Sequence, residues 1–153
     1  MGLFSEKIRN ENTDGLKVFK SRYYQLKYPK EWICEKHRDI TEFYNPNGKS
    51  TFRVSHMKLS NKVDPDKIMS EKELLDMYIS DYKDAEIVEF PTKKAIYFKE
   101  YTKDVQYDLI ICYWLVCKNN ILLNCSYTIL KDDEDKEKTR LEYAQIKKIF
   151  EDI

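Results

Sequence analysis

Three side chains within six positions could make a thiol-dependent enzyme: Cys34, His37 and Asp39, in the stretch "WICEKHRDI". A cysteine nucleophile needs a base within hydrogen-bond reach and a third group that orients the base. The neighbouring residues argue against that geometry. Residues 32–37 read as a strand, where successive side chains point to opposite faces, so Cys34 and His37, an odd number of positions apart, diverge. The alternative, a hydrolase or transferase using Cys34 and His37, needs a chain reversal at Glu35-Lys36 that no turn residue marks. His56 continues the face of Phe52 and Val54 and reads as a histidine at the rim of the core. Asp108, between Tyr107 and Leu109, reads as a solvent-facing strand end. No other carboxylate stands alone in an apolar strand, where burial would raise its pKa for acid–base work. No Gly-x-Ser-x-Gly, phosphate loop or His-Glu-x-x-His is present. The expectation is a protein that is not an enzyme.

Metal and cofactor chemistry fare no better. None of the four cysteines, Cys34, Cys112, Cys117 and Cys125, forms a Cys-x-x-Cys pair, and three lie in strongly apolar runs. They read as buried, reduced thiols packing as small apolar groups. The two histidines do not complete a zinc set. The acidic run "DDEDKEK" from Asp132 lacks the glycine and ligand spacing of a calcium loop, and reads as the start of a helix at about Asp133. No cofactor and no metal are expected.

One surface feature stands out. Over residues 95–103, Tyr97, Lys99, Tyr101 and Lys103 alternate with Ile96 and Phe98. If Ile96 and Phe98 face the apolar side of the following hairpin, the Tyr/Lys row points outward or lies beneath another layer. Tyrosines pair well across strands, which is the structural reading. The row could also bind a protein, or stack bases as single-strand nucleic-acid binders do. Twenty-seven basic and twenty-seven acidic residues cancel, so no long-range field gathers a polyanion. Protein is therefore the expected partner over nucleic acid, and Tyr97, Lys99, Tyr101 and Lys103 are the candidate partner-binding residues.

The elements that position these residues follow from pattern. At 153 residues with 42% apolar side chains, one domain with a sizeable core is expected. Residues 1–15 are polar and end in Thr13-Asp14-Gly15, a loosely held start to a domain over 16–153. In "YYQLKYPKEW", Tyr24, Leu26 and Tyr28 recur at every second position, a strand face, and Pro29 must halt the pairing. Residues 40–44, the turn Asn45-Pro46-Asn47-Gly48 and a strand over 50–59 continue an antiparallel meander. Asp64-Pro65 and the capping box from Ser70 to Glu73 mark either one helix over 64–83 or a short turn followed by a helix, with Leu74, Leu75, Tyr78, Ile79 and Tyr82 as the apolar stripe. Strands follow over 86–90, 95–103, 105–117 and 121–130, the last two joined by Lys118-Asn119-Asn120. A two-residue Asn119-Asn120 turn requires positive φ, which asparagine tolerates. That register puts Cys112, Trp114 and Val116 on one face with Leu123, Cys125, Tyr127 and Ile129, the expected core. The terminal helix offers Tyr143, Ile146, Ile149, Phe150 and Ile153, and a single dry layer shared by the hairpin and both helices is expected.

This order, with "YYQLKYPKEW" followed by "ITEFYNPNGKSTFRVSHM", resembles the PsbP-like superfamily. That group includes the photosystem II extrinsic subunit PsbP, the yeast Ran-binding nucleotide-release factor Mog and bacterial effector-adaptor proteins. The resemblance covers most of residues 16–153, the hairpin and last helix agreeing in order and length rather than in motif. It implies an α+β fold, an antiparallel sheet flanked by helices in an α/β/α sandwich, in a bacterial adaptor that binds proteins rather than catalyses. No family site residue maps onto this chain. "MGLFSEKIRN" lacks a secretion signal and, with Glu6 where Ser or Thr belongs, a myristoylation pattern. "LIICYWLVC" is well short of the ~20 residues that span a bilayer. The expectation is a cytoplasmic protein with no membrane contact.

Overall fold

A computed structural model of the chain describes residues 15–58, 70–82, 84–118 and 120–153. The expected loose segment 1–15, apart from Gly15, and the Asp64-Pro65 cap lie outside the described residues.

The first two strands form a hairpin of their own. β1 (Leu16–Lys20) pairs antiparallel with β2 (Gln25–Pro29) as a separate two-stranded sheet. Its turn is closed by Ser21, whose hydroxyl oxygen accepts from the amides of Tyr23 and Tyr24, each at 3.2 Å. Tyr24, Leu26 and Tyr28 are buried, as their alternation predicted, and Pro29 ends the strand. The Pro29 carbonyl then accepts from the amide of Trp32, so the buried indole tucks in where the chain leaves the hairpin.

The remaining strands make one antiparallel sheet. In chain order they are β3 (Ile33–His37), β4 (Ile40–Tyr44), β5 (Thr51–Lys58), β6 (Glu86–Phe90), β7 (Lys93–Lys103), β8 (Asp108–Lys118) and β9 (Ile121–Leu130). In space the order is β3-β4-β5-β9-β8-β7-β6. The expected meander is thus β3-β4-β5, while the preceding hairpin leaves it to pack on the sheet's face. Asn120 has φ 67° in the turn between β8 and β9, the left-handed backbone expected there; Asn119 lies outside the described residues.

Among the described residues, two helices lie against the sheet. α1 (Glu71–Asp81) starts where Ser70 caps it, the serine hydroxyl accepting from the Glu73 amide at 3.1 Å. α2 (Glu137–Asp152) begins four residues later than the acidic run suggested. Residues Lys131–Asp133 instead form a 3₁₀ turn, and Lys136 stays extended with its ammonium 2.6 Å from the Asp133 carboxylate. That pair holds the Asp133 carboxyl below its usual range, Lys136 being the main cause. The acids therefore serve the turn out of β9 rather than the helix start.

The core has two layers, not one. Cys112, Trp114 and Val116 face the same side as Leu123, Cys125, Tyr127 and Ile129, as the register predicted. That side is roofed by Ile146, Ile149 and Phe150 of α2 together with the β1–β2 hairpin. The opposite side carries a smaller layer, Ile96, Phe98, Leu115, Cys117 and Leu122, under Leu75 of α1. The β8 side chains alternate between both layers, which is why that strand reads as an unbroken apolar run. The result is an α+β sandwich whose antiparallel sheet has a helix on each face.

Candidate functional site

The structure keeps Cys34 and His37 apart. β3 is regular across both, so Cys34 packs towards the main core while His37 emerges on the other face. Burial pushes the Cys34 thiol above its ordinary pKa, and Glu35 adds to the rise against Lys17. An activated nucleophile needs the reverse. His56 sits at the rim as expected, its ring 4.2 Å from that of Tyr23. Asp108 is a strand end ion-paired to Lys103 at 3.7 Å in solvent.

His37 instead joins a polar row that sequence reading missed. Its Nε2 lies 3.4 Å from Glu35 and 3.5 Å from Glu42, and Arg53 Nε lies 3.5 Å from the other Glu42 oxygen. The Tyr44 hydroxyl donates to Glu35 at 2.6 Å. These residues come from three neighbouring strands, and only the register Glu35↔Glu42↔Arg53 aligns them. His37, Glu35 and Arg53 are exposed and Glu42 is half-buried, so each pair contributes about 0–1 kcal/mol.

The Tyr/Lys row of β7 divides in two. Tyr97 belongs to the core: its ring is 5.2 Å from Trp114, and its hydroxyl is hydrogen-bonded towards Tyr143 and Cys112. Burial, with those bonds, drives its pKa well above the tyrosine range. Lys99, Tyr101 and Lys103 are exposed, Tyr101 by 61%. The condition placed on Ile96 and Phe98 fails, because they face α1 while Tyr97 and Lys99 share the face of Trp114 and Cys112.

The division has a cause in strand length. β7 pairs with β8 along its outer half, from Phe98↔Tyr113 to Lys103↔Asp108. On its other side β6 reaches no further than Glu86↔Tyr97. Residues 98–103 are therefore paired on one side only among the described residues, although β6 and not β7 is nominally the last strand. The strip is rigidly backed. On the α1 face, Phe98 is stacked between Tyr82 at 4.4 Å and Tyr113 at 4.8 Å.

The loop at the end of the strip is rigid too. The Asp104 carboxylate accepts from the amides of Gln106 at 2.8 Å and Tyr107 at 2.7 Å, and the Asp104 amide donates to the Tyr107 carbonyl at 3.0 Å. This turn holds Val105 fully in solvent with Tyr107 half-exposed beside it. Below it opens a cleft of about 570 Å³ bordered by Lys49, Lys103, Tyr107, Asp132 and Lys136. Its rim carries Asp104, Asp108, Asp132 and Asp133 against three lysines, so it is not a basic groove. No group of three or more His, Cys, Asp or Glu set to hold a metal occurs among the described residues. No described helix is long and apolar enough to cross a membrane.

Among solved structures, a crystal structure from Bacteroides thetaiotaomicron superposes with a TM-score of 0.65 at 24% identity over 81% of this chain. The chain spans 45% of that protein's length. Cyanobacterial PsbP (CyanoP) from Synechocystis sp. PCC 6803 superposes with a TM-score of 0.51 at 11% identity, covering 84% of this chain and 88% of CyanoP. These likenesses show the fold, which is PsbP-like. No curated protein matches the chain. The family model described as "Domain of unknown function (DUF3805)" matches residues 17–148, almost the whole two-layered domain just described, and the chain belongs to that family.

Proposed function

We propose that this chain is a non-catalytic protein-binding module, a cytoplasmic bacterial adaptor that docks its partner at the outer half of β7. The carrying observation is a strip paired on one side only among the described residues, bearing exposed Lys99, Tyr101 and Lys103 and ending in Val105 and Tyr107 on a fixed turn. A loop this well bonded has already lost its freedom, so holding Val105 in water brings no evident folding gain. Aromatic side chains presented on a rigid frame are the usual anchors of protein contacts. The likeness to a superfamily holding Ran-binding Mog and effector adaptors supports binding over catalysis by analogy of fold. Nucleic acid fits less well, because the four aspartates around the adjoining cleft repel a phosphate backbone.

The test is a photoreactive amino acid placed at Tyr101, with Leu141 on the exposed side of α2 as the control position. In the source cell, light should yield a discrete protein adduct from position 101 and not from position 141. Adducts identical at both positions, or a nucleic-acid adduct at 101, would contradict the proposal.

A further inference from the structure

The rim of β7 is a row of backbone groups as well as side chains. In an antiparallel strand, consecutive residues turn their N–H and C=O alternately to one neighbour and the other. Over residues 98–103, β8 takes up half of these groups. The other half point away from β8, where no described strand pairs with them. Most proteins keep such edges short or charged to deter unwanted pairing. Here the edge carries charge at Lys99, Glu100 and Lys103, which deters indiscriminate pairing, but it is not short: it spans six residues, starts where β6 stops and stands on a stacked aromatic base.

We propose that a partner binds here by adding an extended, antiparallel strand alongside residues 98–103, with a charge pattern set by Lys99, Glu100 and Lys103. This rests on the protein-binding reading and specifies its mode. Directly opposed residues in an antiparallel pair share a face and interact. The strand that fits therefore reads, from opposite Lys103 to opposite Lys99, acidic, β-branched, aromatic or apolar, basic, acidic. The aromatic or apolar position lies against Tyr101, and the basic one answers Glu100.

A second copy of the chain is the poorer occupant. Two-fold pairing of this rim with itself must oppose residues of the same face. About Tyr101 it sets Lys99 against Lys103 twice. About Glu100 or Lys99 it sets that residue against its own copy. About Thr102 it brings Glu100 against Asp104. Like charges directly opposed are destabilising. The rim thus disfavours a second copy and suits a complementary strand.

The probe is the synthetic peptide Thr-Val-Glu-Thr-Tyr-Lys-Glu-Val-Thr, used with the full chain. Two further versions carry N-methyl groups on its even-numbered or its odd-numbered amides. One methylated version should lose binding by about tenfold or more, and the other should stay within about threefold, because only alternate amides face the rim. Joint Lys99→Glu and Lys103→Glu replacement should also weaken binding about tenfold, and exchanging the peptide glutamates for lysines should restore it. Binding that ignores which amides are methylated would overturn strand addition while leaving a protein-binding surface at Tyr101 in place. Failure of the unmethylated peptide to bind would also overturn it. The crosslink at position 101 judges the protein-binding reading separately.

Discussion

Replacing Phe150 by alanine should destabilise the fold by about 3–5 kcal/mol, the usual cost of emptying a buried aromatic site. The ring is fully buried, 4.9 Å from Phe90 and 5.8 Å from Trp114. The Lys93 ammonium lies 5.3 Å over its face and donates to the carbonyls of Glu151 at 2.9 Å and Ile153 at 2.7 Å. Those carbonyls belong to the end of α2, where the helix leaves its own acceptors unsatisfied. Phe150 therefore fills the main layer and seats the lysine that ties down the helix terminus. Leu141→Ala, on the same helix but 64% exposed, should change stability by no more than about 0.5 kcal/mol. Denaturant titration of both variants gives the comparison. A loss below about 1 kcal/mol for Phe150→Ala would mean α2 is not the roof of the core.

Alkali should unfold the protein cooperatively between about pH 9 and pH 12. Burial pushes the Cys125 thiol up to about 12 from 9.0. Tyr97 and Tyr127 are raised well above their ordinary range by burial, and the Tyr127 hydroxyl also donates to Glu142 at 2.7 Å. Below pH 9 these groups hold their protons in both states, so their full stabilisation is present. As pH rises past 9 the unfolded chain releases the thiol proton and, past 10, the phenol protons, while the folded chain keeps them. Stability then falls by about 1.4 kcal/mol per pH unit for each group, and for Cys125 the fall ends as pH passes its folded value near 12. Tyrosinate absorbance from these residues and loss of near-ultraviolet circular dichroism should appear together. Smooth titration of all tyrosines near their ordinary pKa, with tertiary signal retained, would contradict the buried hydroxyls.

The sequence was most informative where one residue type admits one geometry. Period-two alternation in Tyr24, Leu26 and Tyr28, the halt at Pro29, the Ser70 cap and the register around Asn120 all appear as expected. The layering was harder to read. β8 is apolar on both faces, so its pattern does not say that Trp114 belongs under α2 and Leu115 under α1. The hairpin of β1 and β2 has the same alternation as the meander beside it, and nothing local reveals that it forms a sheet apart from the seven described strands.

The candidate site was half legible. Alternation named Tyr97, Lys99, Tyr101 and Lys103, but burial of Tyr97 follows from its position opposite Trp114, a fact of register. Among the described residues, the rim of β7 lacks a second neighbour because β6 is five residues long and β7 eleven, and because pairing starts at their shared turn. The sequence expects strands over 86–90 and 95–103, close to those lengths, and pairing the two as a hairpin leaves the outer half of the longer one beyond the reach of β6. The row of Glu35, His37, Glu42 and Arg53 had no such signal, since its members are joined only across strands.

Residue-resolved amide exchange over residues 98–103 tests the central claim most directly. With β8 on one side and no described strand on the other, protection should alternate: residues whose N–H faces β8 exchange slowly, and those between them exchange at nearly open-chain rates. Adding the glutamate peptide should slow the fast set and leave the slow set unchanged. Uniform protection across 98–103 in the protein alone would show that the rim is already covered, and no strand could be received there.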